Sequence, residues 1–331
     1  MAKKKNTDLV LDSSSGDGAA GEPQVAASEV VDAVVLDEAS GPVLHRDLSD
    51  IAVTDLGDIV INRTKRGTSP FVPIVKTPTY SQNSGTLSGY SVEIKDDVSE
   101  TGYRHVGTVS KNYLLLSNEE VRELAIEIAM QSGLPFQESR IFWDGSRFLH
   151  VIDFEGSESV GDGDDVGLGL VTQSSYDKTW RYSCQLMGRR FVCDNGLISG
   201  EFFGRVAFKH LAAEGDPKEH AWQDVVRQGL SVIDRAPEDL HHFAESLRRL
   251  RACEMTDARL REAWNLFPAI GDGIKGQVMS RYVGHEEPTM FGLLQAATNV
   301  TWHREKQTAS DYANNDAMTT ALLRYAKETL A

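Results

Sequence analysis

Apolar residues along the chain go from scattered, to alternating, to helically spaced, and these changes divide it into three parts. From Met1 to Asp58, Ser, Gly, Ala and acidic residues surround isolated Val and Leu. That is too little apolar surface to offset the entropy lost on ordering, so residues 1–58 read as a disordered acidic tail. Residues 59–212 carry short runs of strand character: Tyr90–Lys95, Tyr103–Val109, Phe136–Trp143, Ser146–Phe154, Val166–Ser174, Thr179–Met187, Arg190–Ile198 and Phe202–Phe208. One helix interrupts them. Ser117 with Glu120 three residues later forms a capping-box pattern, Val121, Leu124, Ala125, Ile128 and Ala129 make an apolar stripe, and Gly133 stops it. Asp144-Gly145 between two strand runs predicts a type I′ hairpin turn. Residues 213–331 repeat helical patterns broken near Pro237, Thr256, Pro268 and Pro288. The expected fold is α+β: a largely antiparallel sheet packed on a helix, followed by an all-helical C-terminal region.

The segment Val171–Leu197 stands apart within the strand-rich region. Trp180, Tyr182, Cys184 and Leu186 alternate with Arg181, Ser183 and Gln185, which predicts an apolar row on one face of a sheet and a polar row on the other. Composition sharpens this picture. The formal net charge is −15, and residues 1–60 hold 4 Lys+Arg against 12 Asp+Glu, a net of 4 − 12 = −8, so over half the net negative charge sits in the tail. From Lys178 to His210 the sign reverses, with six Lys+Arg against two acids, among Trp180, Tyr182, Phe191, Phe202 and Phe203. Cations that reach phosphates beside aromatic faces that stack on bases suit single-stranded nucleic acid. The candidate contacts are Lys178, Arg181, Arg189, Arg190, Arg205 and Lys209, with Tyr176 as a stacking residue. Asp177 and Asn195-Gly196 are expected to shape the turns that present them. Trp180 and Tyr182 also suit a sheet core.

Other chemistry is thinly represented. Cys184, Cys193 and Cys253 match no zinc spacing, and Cys184 falls on the apolar row as a small core residue. Walker A, G-x-G-x-x-G and H-E-x-x-H patterns are absent, so no cofactor is expected. Asp162, Asp164 and Asp165 in a Gly-rich loop, joined by Asp177, leave a metal-dependent nuclease as a third reading. With no apolar leader after Met1-Ala2-Lys3-Lys4-Lys5 and no long apolar run, a cytoplasmic location away from membranes is expected.

Several short elements carry a family resemblance: Tyr113–Glu120 (YLLLSNEE), Asp144–Phe148 (DGSRF), Ser174-Ser175-Tyr176-Asp177, Arg190–Gly196 (RFVCDNG), and Ala296–Asn299 (AATN) with His303. Together they resemble a phage/plasmid-like family of unknown function, over about residues 70–330. The order of strands, capped helix, Asp-Gly hairpin and further strands is more remotely similar to single-strand annealing proteins of the Rad and phage recombinase type. That resemblance implies a ring or filament holding one strand by its backbone, without bond chemistry. The leading expectation is therefore a mobile-element protein that binds single-stranded DNA in annealing or recombination, as a homo-oligomer. The alternative is a non-enzymatic, host-modulating interaction protein that docks a host or mobile-element partner through its acidic tail.

Overall fold

The computed structural model describes residues 60–63, 69–161, 163–191, 195–208, 218–267, 270–304 and 307–329. The acidic tail lies outside them. Among the described residues, eleven strands and seven helices follow in chain order: β1 (Val60–Arg63), β2 (Ile74–Tyr80), β3 (Leu87–Lys95), β4 (Tyr103–Val109), α1 (Asn118–Gln131), β5 (Phe136–Trp143), β6 (Arg147–Phe154), β7 (Glu158–Gly161), β8 (Asp164–Ser175), β9 (Tyr182–Arg190), β10 (Asn195–Ile198), β11 (Arg205–Phe208), α2 (Lys218–Ile233), α3 (Ala236–Ala252), α4 (Asp257–Asn265), α5 (Asp272–His285), α6 (Met290–Trp302) and α7 (Ala309–Thr329). The α+β expectation holds.

The main sheet runs β1-β5-β6-β8-β9-β10, with β7 added on β8 and β11 on β9. Only the β1–β5 pairing is parallel in this sheet. Along β9, Tyr182–Gln185 pair with β11 and Met187–Arg190 with β10, so two short strands share its outer edge end to end. A separate antiparallel sheet, β2-β3-β4, precedes α1.

Period-two alternation sorts the main sheet's side chains onto two faces, both of them apolar. Ile141, Phe148, Ile152, Leu170, Cys184 and Leu186 join one core cluster with residues of α1, α2 and α3. Phe142, Leu149, Val151, Val171, Met187 and Ile198 join another with Trp302 of α6 and Tyr312 of α7. Covering both faces buries the polar row of β9 as well: Ser183 and Gln185 are buried, and Gln185 accepts from Arg205. The helices after residue 217 thus share their core with the sheet. Among the described residues no helix is long and apolar enough to cross a membrane.

Local signals behave as their chemistry dictates at α1. Ser117 Oγ accepts from Glu120 N at 3.1 Å, Glu120 Oε2 accepts from Ser117 N at 2.7 Å, and the predicted stripe is buried. The Asp144-Gly145 turn differs from expectation. Four residues separate the paired Trp143 and Phe148, and only Gly145 (φ 95°) has a positive φ there, whereas type I′ needs two. The loop closes through Asp144 Oδ1 instead, which accepts from the backbone N–H groups of Ser146 (3.0 Å) and Arg147 (2.8 Å).

Candidate nucleic-acid interface

Of the cations expected to contact phosphate, three turn inward to carboxylates. Arg189 pairs with Asp153. Arg190 Nε sits 2.8 Å from both Asp164 oxygens, and its Nη1 donates to Gln295 Oε1 at 3.0 Å. Asp164 is shared with Arg251 of α3, whose Nη2 donates at 2.7 Å, and both guanidinium groups lie over the Phe291 ring. Arg205 pairs with Asp316 of α7 at 2.7 Å. Arg189 thus ties β9 to β6, while Arg190 and Arg205 tie strands to the C-terminal helices, so each of the three has a carboxylate partner within the chain. The sign of local charge in sequence missed this because the neutralising acids come from distant segments.

Tyr176 is turned inward in the same way. It is 1% exposed, its ring packs edge-on against Trp143, and its hydroxyl accepts from Asn118 N at 2.9 Å. Burial pushes the phenol above its ordinary value of 10.0. No base reaches such a ring. Tyr176→Phe is expected to cost about 1–3 kcal/mol by leaving the Asn118 N–H without its acceptor, measured by urea unfolding. Asn195 and Gly196 do not form a turn: they open β10, opposite Arg190 and Arg189. Gly196 is required by close approach, since a Cβ there would lie 2.6 Å from the Trp302 indole. Asn195 joins a buried polar network, accepting within 2.8 Å of His303 Nε2 and donating to Gln295 Oε1 at 3.1 Å. Lys209 and Cys193 lie outside the described residues.

Lys178 and Arg181 remain, and both are exposed. Among the described residues neither has an ion-pair or hydrogen-bond partner. Their loop, 176–181, is held from several sides. Tyr176 N donates to Ser146 O at 2.8 Å and Ser146 Oγ to Asp177 Oδ2 at 2.9 Å. Thr179 N donates to Asp177 Oδ1 at 3.0 Å, while Ser175 Oγ accepts from Trp180 N and donates to Trp180 O. Arg147 spans the two loops, with Nε donating to Thr179 Oγ1 at 2.7 Å and Nη2 lying 3.6 Å from Asp177. Burial pushes the Asp177 carboxyl up, but hydrogen bonds from Thr179, Ser146 and Ser175 outweigh it and hold it below its ordinary 3.8. Asp177 thus braces the turn with its carboxylate.

Within this frame Lys178 adopts φ 65°, and among the described residues no other non-glycine has a positive φ. A lysine in that conformation is sparsely populated and persists only when its surroundings fix it. β4 lies directly against the loop: a Cβ on Gly107 would meet Tyr176 O at 2.9 Å. Tyr113, just after β4, donates from its hydroxyl to Ser175 O at 3.2 Å, and burial with the Asp177 charge pushes that phenol up to about 12. The connection before Tyr113 carries a further exposed cation, Lys111, whose carbonyl accepts from Lys76 Nζ at 2.7 Å. Trp180 is half-buried against the Phe142 ring at 6.3 Å.

The carboxylates offered for metal binding do not meet. Asp164 starts β8 and Asp177 follows its end, so a twelve-residue strand, roughly 40 Å at about 3.3 Å per residue, separates them. Asp164 is moreover committed to two arginines, and Asp162 lies outside the described residues. Cys184 is fully buried, and burial pushes its thiol up to about 12, in keeping with a core role.

No curated protein and no solved structure is detectably similar to this chain. A family model does match, over residues 105–323, a span that takes in the 144–147 and 176–181 loops and the arginine network. By that match, the chain belongs to the family described as a domain of unknown function, DUF932.

Proposed function

We propose that the protein binds the backbone of single-stranded nucleic acid at the cationic corner formed by the loop that carries Lys178 and Arg181. One observation carries this reading: Lys178 and Arg181 project from a loop fixed by Asp177, Ser146, Ser175 and Arg147, while the other described cations of the basic segment are neutralised internally. A pre-ordered loop loses little backbone freedom when its cations meet a phosphate, and each cation displaces counterions from the strand. The half-buried Trp180 between them offers a ring edge to a nucleotide. The resemblance to phage/plasmid-like proteins, carried largely by the loop residues themselves, supports a mobile-element role. A strand held by its phosphates keeps its bases free to pair, so strand annealing follows from the same reading.

The test is fluorescence anisotropy of a labelled single strand of about 40 nucleotides across a salt series, with duplex competitor. The Lys178→Ala/Arg181→Ala variant is expected to bind more weakly and to lower the log–log salt slope by about 1.4, from two phosphate contacts at about 0.7 each. Affinity and slope equal to those of the unaltered protein would remove the loop from the interface.

A further inference from the structure

The sixteen residues from Thr77 to Val92 contain no Asp, Glu, Lys, Arg or His, in a chain of which 25% is charged. A comparable uncharged run, Pro288–Trp302, is explained by burial, because it forms α6 inside the core. Burial explains only part of the first run, at Ser91 and Val92. Residues 82–88 are exposed, and Tyr80 (58% exposed) stands opposite Leu87 (48%) where β2 and β3 meet their connecting loop. Exposed strand ends are ordinarily guarded by charge. Here Ser, Thr, Gly, Asn, Gln and Tyr surround the apolar pair, the mixture that makes adaptable protein-contact surfaces.

The tip is ordered by its own bonds. Ser81 N donates to Thr86 O at 2.9 Å, Gly85 N to Ser81 O at 2.8 Å, and Ser88 Oγ to Thr79 O at 3.0 Å. Such pre-ordering lowers the entropic cost of docking. The lack of any cation argues against a phosphate-bearing partner, and the neutral apolar pair calls for a neutral apolar seat.

The same chain has one. A groove of about 530 Å³ runs between α7 and the segment after α4, with a floor of Leu266, Phe267, Ile270, Ala317 and Ala321. Its charged rim is neutral as built: Arg205 pairs with Asp316, and Arg324 with Glu201. Small residues on α7 let an incoming backbone approach closely, and the volume falls in the range that encloses ligand-sized groups.

We infer that the β2–β3 tip of one copy seats in the α7 groove of a second copy, with Tyr80 and Leu87 on its floor. The two surfaces differ, so the contact is heterologous. Each copy keeps one free tip and one free groove, and assembly continues until a ring closes or a filament forms. None of the residues involved belongs to the cationic corner, so this inference stands or falls separately from the nucleic-acid reading.

Sedimentation velocity of the full chain over a concentration series tests it. The unaltered protein is expected to assemble beyond a dimer. Tyr80→Ser/Leu87→Ser and, separately, Ala317→Arg are expected to be monomeric. All three positions are exposed, so circular dichroism should show an unchanged fold. The discriminating step mixes the two variants: one retains a groove and the other a tip, so together they should form a one-to-one dimer that cannot grow. An unaltered protein that stays monomeric, variants that assemble as it does, or a mixture that stays monomeric would each overturn the inference, the first by assigning the tip to a different partner.

Discussion

Glu138→Ala is expected to lower the unfolding free energy by about 3–5 kcal/mol, because it strips the partner from two buried nitrogen-bearing groups at once. Glu138 lies on β5 with its side chain 3% exposed. It accepts from Arg122 of α1 through Nε and Nη2, both at 2.6 Å, and His150 Nε2 of β6 lies 2.8 Å away with no exposure at all. The cluster is where α1 docks on the sheet, so its loss loosens the helix as well as the pair.

The same cluster makes the protein acid-labile, and both of its titrating members act in one direction. Burial raises the Glu138 carboxyl, but His150 and the paired Arg122 outweigh it and hold it well below its ordinary 4.5. Burial drives the His150 imidazole below its ordinary 6.5. In each case the unfolded chain takes up the proton first as pH falls. Stability from His150 is complete above pH 6.5 and is lost as the medium becomes more acidic; that from Glu138 is complete above about 4.5 and is lost below it. Thermal unfolding from pH 8 to 3 should therefore show a decline that begins near 6.5 and steepens below 4.5. His150→Leu should flatten the upper part and Glu138→Gln the lower part. A midpoint independent of pH across the whole range would contradict this account.

Much of the fold was legible because its signals are local. The capping box at Ser117, the stripe from Val121 to Ala129 and the Gly133 stop (φ 72°) need only neighbours within a turn or two. β5 and β6 were visible for the same reason. β2 was missed because Pro73 and Pro78 read as loop, yet β2 is an edge strand, where proline is tolerated. β7 was hidden in the acidic loop because its pairing partner, β8, supplies the order.

The candidate surface was harder to read, since exposure is a long-range property. Alternation placed Tyr182 and Cys184 on one face of β9 correctly, but only the arrival of α6 and α7 on the opposite face shows why Ser183 and Gln185 are buried too. Likewise Lys178 and Arg190 are both cations in one basic stretch. What separates them is Asp164, brought in by β8, and Gln295, brought in by α6.

That separation leads to the second large effect. Asp164→Ala is expected to cost about 3–5 kcal/mol, because it takes the shared carboxylate from two guanidinium groups packed on the Phe291 ring, leaving Arg190 without it and Arg251 with the Glu287 carboxylate at 3.1 Å. All three side chains are largely withdrawn from water, at 5%, 15% and 17% exposure. Arg190→Ala should cost less, since Arg251 still neutralises Asp164. The double variant should therefore fall short of the sum of the two, with a coupling of about 0.5–3 kcal/mol in urea unfolding. If Asp164→Ala unfolds within about 0.5 kcal/mol of the unaltered protein, the network is an ordinary solvated ion pair and Arg190 is again free to serve a ligand. If the large loss is found, weakened binding in Arg189→Ala/Arg190→Ala reports a damaged fold. The salt slope then decides which cations touch the strand: folded Arg190→Ala protein should retain it, because a guanidinium held by Asp164 releases no counterions from nucleic acid.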